Sequence, residues 1–437
     1  MAIALEKRVE RARNARSIAT YGKIVDVVGL TIEATGPPMH IGDLCYIRPP
    51  RGGEIVPAEV VGFRGHRILL MPLGDMAGIA PNSLVEPTFS PQSVRVGLEL
   101  LGRVIGSMGL PLDGRPVPAC TQKVALSASP PSPLQRRRIT EPIGTGIRAI
   151  DGCNTIGKGQ RVGILAGSGV GKSKLIGMIA RNTSADVNVI ALVGERGREV
   201  REFIEADLGP QGLARSVVVV ATSNEPALMR IKGALVATAI AEWFREQGAD
   251  VLLMMDSVTR FAMAQREVGL AVGEPPTTRG YPPSVFALLP KLLERAGTSD
   301  KGSITGIYTV LVEADDLNDP VGDSVRSILD GHISLSRALA SRNHYPAIDI
   351  LESVSRCMMD VAPETHRMLA GELRRVLATY REAEDLINIG AYVDGSNQEI
   401  DRSIRLIPGV KRFLQQGISD ATKFSDVQGL LHKALKG

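Results

Sequence analysis

Five short runs rich in Val, Ile and Leu, spaced along the middle of the chain, constrain its fold more than any other feature. They are RVGILAG (161–167), VNVIALVG (187–194), SVVVVAT (216–222), DVLLMMD (250–256) and IYTVLVE (307–313). Runs that are apolar throughout, rather than alternating, suit parallel strands covered on both faces. Stretches with helical spacing fall between them, as at 173–182, 226–247 and 258–269. That alternation predicts a doubly wound parallel α/β sheet from about 143 to 360.

The flanks read differently. Residues 21–92 carry short apolar runs such as GKIVDVVG, LCYIRPP and HRILLMPL between Gly, Pro and Asp turns. That pattern predicts a small β-barrel or sandwich. The Pro-rich stretch 127–142, SASPPSPLQRRRITEP, reads as a linker, with Arg136, Arg137 and Arg138 in a solvated or interface loop. Beyond 360 the strand-like runs stop. Leu369, Leu373, Val376, Leu377, Tyr380, Leu386 and Ile387 recur at helical spacing, so a helical domain is expected over 361–437, after an α/β domain over 93–360. Residues 1–20 set Ile3, Leu5, Val9, Ala12 and Ile18 among five basic side chains, which suits a basic amphipathic helix that docks a partner or a frayed terminus.

Composition removes several functions. The 51 basic and 47 acidic residues leave a net charge of only +4, and a single tryptophan accompanies 4% aromatics. Stacking platforms for single-stranded nucleic acid need more aromatic surface, so no nucleic-acid partner is expected. Four separated cysteines with no CxxC pair fit reduced thiols in a cytoplasm rather than a disulfide framework or zinc site. No apolar run approaches the roughly 18 residues of a membrane span, and the first residues lack the apolar core of a secretory signal.

The chemistry begins at AGSGVGKS, 166–173. A strand leads in and a helix leads out, the context in which a glycine-rich loop wraps phosphates with its N–H groups. Gly167, Ser168, Gly169, Val170, Gly171, Lys172, Ser173 and Lys174 are the candidate binding residues. Lys172 would reach the β- and γ-phosphates, and Ser173 would offer its hydroxyl to Mg²⁺. Two departures stand out: Ala166 replaces the first glycine of the Walker A pattern, and Lys174 occupies a position where a small or apolar residue is usual. Asp256 ends the run DVLLMMD at the strand's C-terminal edge, where α/β sheets bind ligands, and would hold Mg²⁺ through water. GERGREV (194–200) follows another strand; Glu195 is the candidate for polarising the attacking water, with Arg196 bracing the site. Composition alone would make that segment a solvated loop; its place beside the phosphate loop favours chemistry.

Together AGSGVGKS, GERGREV, LLMMDSVTRFAMAQREVGLAVGEPPTTRGYPPSVFALLPKLLERAG, SILDGHISLSR and NHYPAIDILESVSR resemble the type III protein-export ATPases, relatives of the catalytic subunit of rotary ATP synthases. The resemblance spans roughly 20–420. Within it, RFAMAQREVGLA (260–271) looks like the flagellar export enzyme rather than the injectisome one. The resemblance implies ATP and Mg²⁺ as ligands, a RecA-like core behind an N-terminal β-barrel, and a homohexamer. It implies that Arg356, in SVSRCM, is an arginine finger acting in trans, and that Tyr345, in HYPAID, stacks on adenine. It also implies a peripheral-stalk regulator docked on the N-terminal helix, a central-stalk protein at the C-terminal helices, export-gate membrane proteins, and export substrates with their chaperones. The enzyme would then be cytoplasmic, held at the inner membrane through that apparatus. Two rivals share the core. A rotary ATP synthase subunit would carry a dense acidic lever where this chain has INIGAYVDGSNQEIDRS (387–403). An RNA translocase would need basic and aromatic residues interleaved in its N-terminal module, and residues 21–92 hold only Tyr21, Tyr46, Phe63 and Phe89.

Overall fold

A computed structural model describes residues 20–50, 52–312 and 319–436. The basic segment expected over 1–20 lies, apart from Thr20, outside these residues. Contacts divide the chain into two compact units, with the boundary between Gln92 and Ser93.

The first unit is a closed barrel of six strands: β1 (Gly22–Val28), β2 (Thr31–Thr35), β3 (Asp43–Arg48), β4 (Val56–Arg64), β5 (Arg67–Pro72) and β6 (Leu84–Pro91), in the order β1-β2-β5-β4-β3-β6. Alternation drives it. In β3, Cys45 and Ile47 are buried while Tyr46 and Arg48 face out. Ile24, Ile32, Ala34, Val60, Leu70 and Val85 fill the same interior from the other strands. Closure removes the unpaired edges that so small a sheet would otherwise expose.

The second unit is built on a mostly parallel sheet. Its main strands are β7 (Arg103–Gly106), β8 (Arg161–Ala166), β9 (Val187–Val193), β10 (Ser216–Ala221), β11 (Asp250–Asp256), β12 (Ser303–Leu311), β13 (Gly331–Leu335) and β14 (Ile348–Ser355). They lie in the order β14-β13-β8-β12-β11-β9-β10-β7, with only β14 antiparallel to its neighbour along this path. The five apolar runs all lie in this sheet, as expected. Every residue of β9 and β10 is buried, the mark of strands covered on both faces. β7, β13 and β14 complete the sheet beyond those runs.

Three helices set the site. α1 (Lys172–Asn182) leaves the phosphate loop and buries Leu175, Ile176, Met178 and Ile179. α2 (Ala227–Glu246) is apolar almost all round and packs against β9, β10 and β11. α3 (Val258–Val272) starts just past β11. The C-terminal helices α4 (Glu364–Asn388), α5 (Gln398–Leu414) and α6 (Phe424–Ala434) contribute Leu373, Val410, Phe413 and Leu431 to the same core that holds Ile150, Ile164 and Ile179. The helices therefore share one hydrophobic core with the sheet, and contacts draw no second boundary near residue 360.

The Arg136–Arg138 run is an interface loop. Arg136 donates to the carbonyl of Ala296, Arg137 donates to that of Ser299, and Thr298 donates back to the carbonyl of Arg137. No helix among the described residues is long and apolar enough to cross a membrane.

Candidate active site

The C-terminal edge of the sheet gathers the candidate residues. β8 runs into the loop 167–171, in which Gly169 and Gly171 take φ of 80° and 92°. Side chains rarely adopt such angles, which is why glycines stand there. Gly171 is the residue before α1, so the loop leads directly into a helix N-terminus, the kind of position that binds phosphates. Ala166 remains the last residue of β8, in ordinary strand geometry, so the missing first glycine costs no turn.

Lys172 extends across the edge. Its Nζ lies 2.5 Å from Oδ1 of Asp256 and 3.7 Å from Oε1 of Glu195. Thr309, on the intervening strand β12, donates to the same Asp256 oxygen at 2.7 Å. Two carboxylates thus face one ammonium. Burial, then the negative charge of Asp256, push the Glu195 carboxyl up to about 7, against the pull of Lys172. Glu199, one helical turn on, joins by a hydrogen bond that raises Glu195 and lowers Glu199, so the proton of that pair resides on Glu195. Gly194, with φ of 72°, lets the side chain of Arg260 pass; a Cβ there would lie 2.8 Å from Arg260 Cβ. The buried Nε of Arg260 has no hydrogen-bond partner.

The remaining candidates take other places. Ser173 is exposed at the loop. Arg196 is 75% exposed and pairs with Glu199 at 3.5 Å. Lys174 turns from the loop to Asp207 at 2.8 Å and Glu202 at 3.5 Å, which supplies the reason for a lysine there: it neutralises a buried carboxylate on the π-helical turn Phe203–Leu208. Tyr345 lies against the phosphate loop, its ring carbons 3.5–3.6 Å from where a Cβ on Gly171 would sit. Behind the loop is a cavity of about 390 Å³ lined by Val170, Leu175, Met178, Tyr345, Pro346 and Ile418 among others. It is large and apolar enough for a flat heteroaromatic ring.

Arg356 lies at the opposite edge. β14 is antiparallel to β13, with Ser355 opposite Gly331, so Arg356 follows at the sheet's N-terminal edge and its N–H donates to the carbonyl of Asp330. The length of β8, roughly 17 Å, separates it from the phosphate loop of its own chain. It is exposed.

A magnesium ion is implied by the phosphate loop. No group of three or more His, Cys, Asp or Glu side chains that could hold a metal occurs among the described residues. A hard cation of this kind takes most of its ligands from phosphate and water. One hydroxyl, Ser173, and one buried carboxylate, Asp256, fit its inner and outer shells.

The sequence reading missed Glu199, Arg260, Thr309 and the segment 416–418. Glu199 had a readable signal, a second acidic residue one helical turn after Glu195. The others come together only through the sheet order and the return of the C-terminal helices.

A family model described as the ATP synthase alpha/beta family, nucleotide-binding domain, matches residues 146–355. The corresponding β-barrel domain matches 24–88, and the T3SS EscN ATPase C-terminal domain matches 362–433. The chain is 57% identical over 405 residues to a flagellum-specific ATP synthase of Bacillus subtilis, covering 92% of each. It is 50% identical over 428 residues to a type 3 secretion system ATPase of Xanthomonas euvesicatoria, covering 98% of this chain and 97% of the relative. The assembled ATPase EscN of the enteropathogenic E. coli type III secretion system superposes with a TM-score of 0.90 at 48% identity, over 95% of this chain and 100% of that one. EscN in complex with its central stalk EscO gives 0.88 at 47% identity, with the same coverage. Matched from barrel to C-terminal helices, with a phosphate loop facing carboxylates at the sheet edge, this chain is a P-loop ATPase and belongs to the flagellar and type III secretion branch of the ATP synthase α/β family.

Proposed function

We propose that the chain hydrolyses ATP to energise export of flagellar proteins through a type III apparatus, and that it does so as a homohexamer. The observation that carries the chemistry is the Lys172–Asp256–Glu195 cluster, in which a carboxyl raised to about 7 faces the phosphate loop. A base poised near the working pH is the most useful kind. In the resting site Lys172 neutralises Asp256. When ATP enters, the loop amides and Lys172 take its phosphates, and the adenine enters the cavity beside Tyr345. Ser173 and, through water, Asp256 would hold Mg²⁺, which when bound would supply positive charge against the phosphate oxygens. Glu195, once ionised, accepts a proton from water as the water oxygen bonds to the γ-phosphorus. The bond from that phosphorus to the β-bridging oxygen breaks, and ADP keeps the electron pair. Arg356 is too far from its own loop to help, which favours action on a neighbour's γ-phosphate, where a finger is worth about 10³-fold or more. Arg196, exposed in the single chain, would brace that shared site.

The test is Glu195→Gln with ADP binding measured beside hydrolysis. The expected result is a kcat lower by at least about 10²-fold with ADP affinity unchanged; full hydrolysis would remove Glu195 from its role. Export is tested by Lys172→Ala in the native host, scoring filaments and secreted hook and filament subunits. Loss of these with normal respiratory ATP synthesis is the expected outcome.

The partners follow the same reading. The C-terminal helices would meet a central stalk; EscN has been solved in complex with its central stalk EscO. The segment 1–20 would dock a peripheral-stalk regulator. The enzyme would release chaperones and deliver substrates to the export gate, held at the inner membrane by these contacts. The 50% identity to the Xanthomonas euvesicatoria enzyme favours one second reading, injectisome export. Loss of a different secreted set, with filaments intact, would select it.

A further inference from the structure

Among the walls of the cavity behind the phosphate loop are two parts of the chain far apart in sequence, and one buried side chain ties these two together. Tyr345 comes from the loop before β14; Gly417 and Ile418 come from the segment that leaves α5. Gln416, only 6% exposed, lies between them. Its main-chain N–H donates to the carbonyl of Tyr345 at 2.9 Å. Its Oε1 accepts from the N–H of Arg148 at 2.9 Å, and its Nε2 donates to the carbonyls of Gly146 at 2.7 Å and Asp420 at 3.0 Å. The side-chain amide therefore has a partner on both of its heavy atoms, and none of these partners is a nucleotide-facing group. Arg148 answers from the other side: its Nε donates to the carbonyl of Phe413 at 3.0 Å, and its Nη2 to that of Gln415.

We propose that Gln416 is a positioning residue for the nucleotide base: it fixes Gly417 and Ile418 opposite Tyr345 by locking the end of α5 onto the turn 144–148. This rests on the reading that the cavity receives the base. A buried amide with three side-chain partners cannot shift without leaving polar groups unpaired. The cavity width is thus tied to the position of α5, a C-terminal helix. Gln416 acts on the base and leaves the phosphates alone, because nothing in its network reaches Lys172, Ser173 or Asp256.

That division supplies the test. ADP and inorganic tripolyphosphate are titrated into the full chain by calorimetry; the second ligand occupies the phosphate loop and has no base. Gln416→Ala should weaken ADP about tenfold and leave tripolyphosphate within about twofold. Gln416→Glu keeps the acceptor for Arg148 and loses the donors to Gly146 and Asp420, so it should weaken ADP alone as well, and it carries the test if the alanine variant does not fold. Tyr345→Ala is the reference. If Tyr345→Ala weakens ADP and the Gln416 variants do not, or if they weaken both ligands equally, the positioning role is overturned. If Tyr345→Ala also leaves ADP unchanged, the base does not lie in this cavity and the proposal falls with that reading.

Discussion

The two edges of the central sheet use charge in opposite ways. At the N-terminal edge charges are matched. Arg161 holds both oxygens of Asp330 at 3.0 and 3.1 Å and also reaches Glu294. Arg295, 3% exposed in its side chain, holds both oxygens of Glu242 at 2.8 and 2.6 Å and donates to the carbonyl of Leu126. Lys158 pairs with Asp250 at 2.8 Å. At the C-terminal edge Glu195 and Asp256 share Lys172, and burial with excess negative charge holds Glu195 near neutrality. One edge uses ion pairs to fix strand ends and connections. The other keeps an unbalanced cluster ready for a ligand with its own charge, and such a cluster costs stability until that ligand arrives.

The largest test of this contrast is Lys172→Ala. Removing the one shared cation should lower kcat/KM by about 10³-fold or more, measured in steady state, while secondary structure by circular dichroism is kept. Arg161→Ala should do the reverse. Stripping Asp330 and Glu294 of their cation at the matched edge should cost about 2 kcal/mol in denaturant unfolding, with kcat per folded molecule within about twofold. If Arg161→Ala abolished hydrolysis without loss of stability, the division between edges would fail.

Glu195→Gln sharpens the comparison through pH. The fold raises Glu195 from its ordinary value of 4.5 to about 7, so the folded state holds this proton more tightly than the unfolded one. Wild-type stability therefore declines as pH rises from about 4.5 through 7, and an uncharged glutamine does not titrate. The variant should melt a few degrees above wild type at pH 8 and together with it at pH 4. The smallest effect belongs to Lys174→Ala. Its ion pair with Asp207 is half-exposed on the lysine side, so a stability loss of about 0.5–1 kcal/mol and nearly unchanged ATP affinity are expected; a large loss of affinity would return Lys174 to the phosphates.

Much of the sheet was legible because its central strands announce themselves. SVVVVA and VNVIALV have no polar face, so only a two-sided burial suits them. The phosphate loop was legible for a similar reason: its glycines, lysine and serine are consecutive. β7 and β13 were not, since four or five residues at the flanks of the sheet carry too little pattern to stand out. Lys174 and Gln416 were illegible because their meaning lies in partners 33 and about 270 residues away. Those partners meet only when α1 packs on the π-helical turn and the C-terminal helices return to the core. Arg356 is an intermediate case. Its sequence context singled it out, but its distance from its own phosphate loop follows only from β14 being antiparallel.

In the proposed hexamer the acidic edge of one chain carries the base and a second chain carries the finger. Mixing two inactive proteins tests it most directly. Glu195→Gln retains Arg356, and Arg356→Ala retains Glu195. Each alone should hydrolyse ATP at least about 10²-fold more slowly than wild type. Co-assembled in equal amounts, they should recover activity, because about a quarter of random interfaces join an intact base to an intact finger. Recovery on mixing is the predicted result. A mixture no more active than its parts, or an Arg356→Ala protein as active alone as wild type, would contradict the claim.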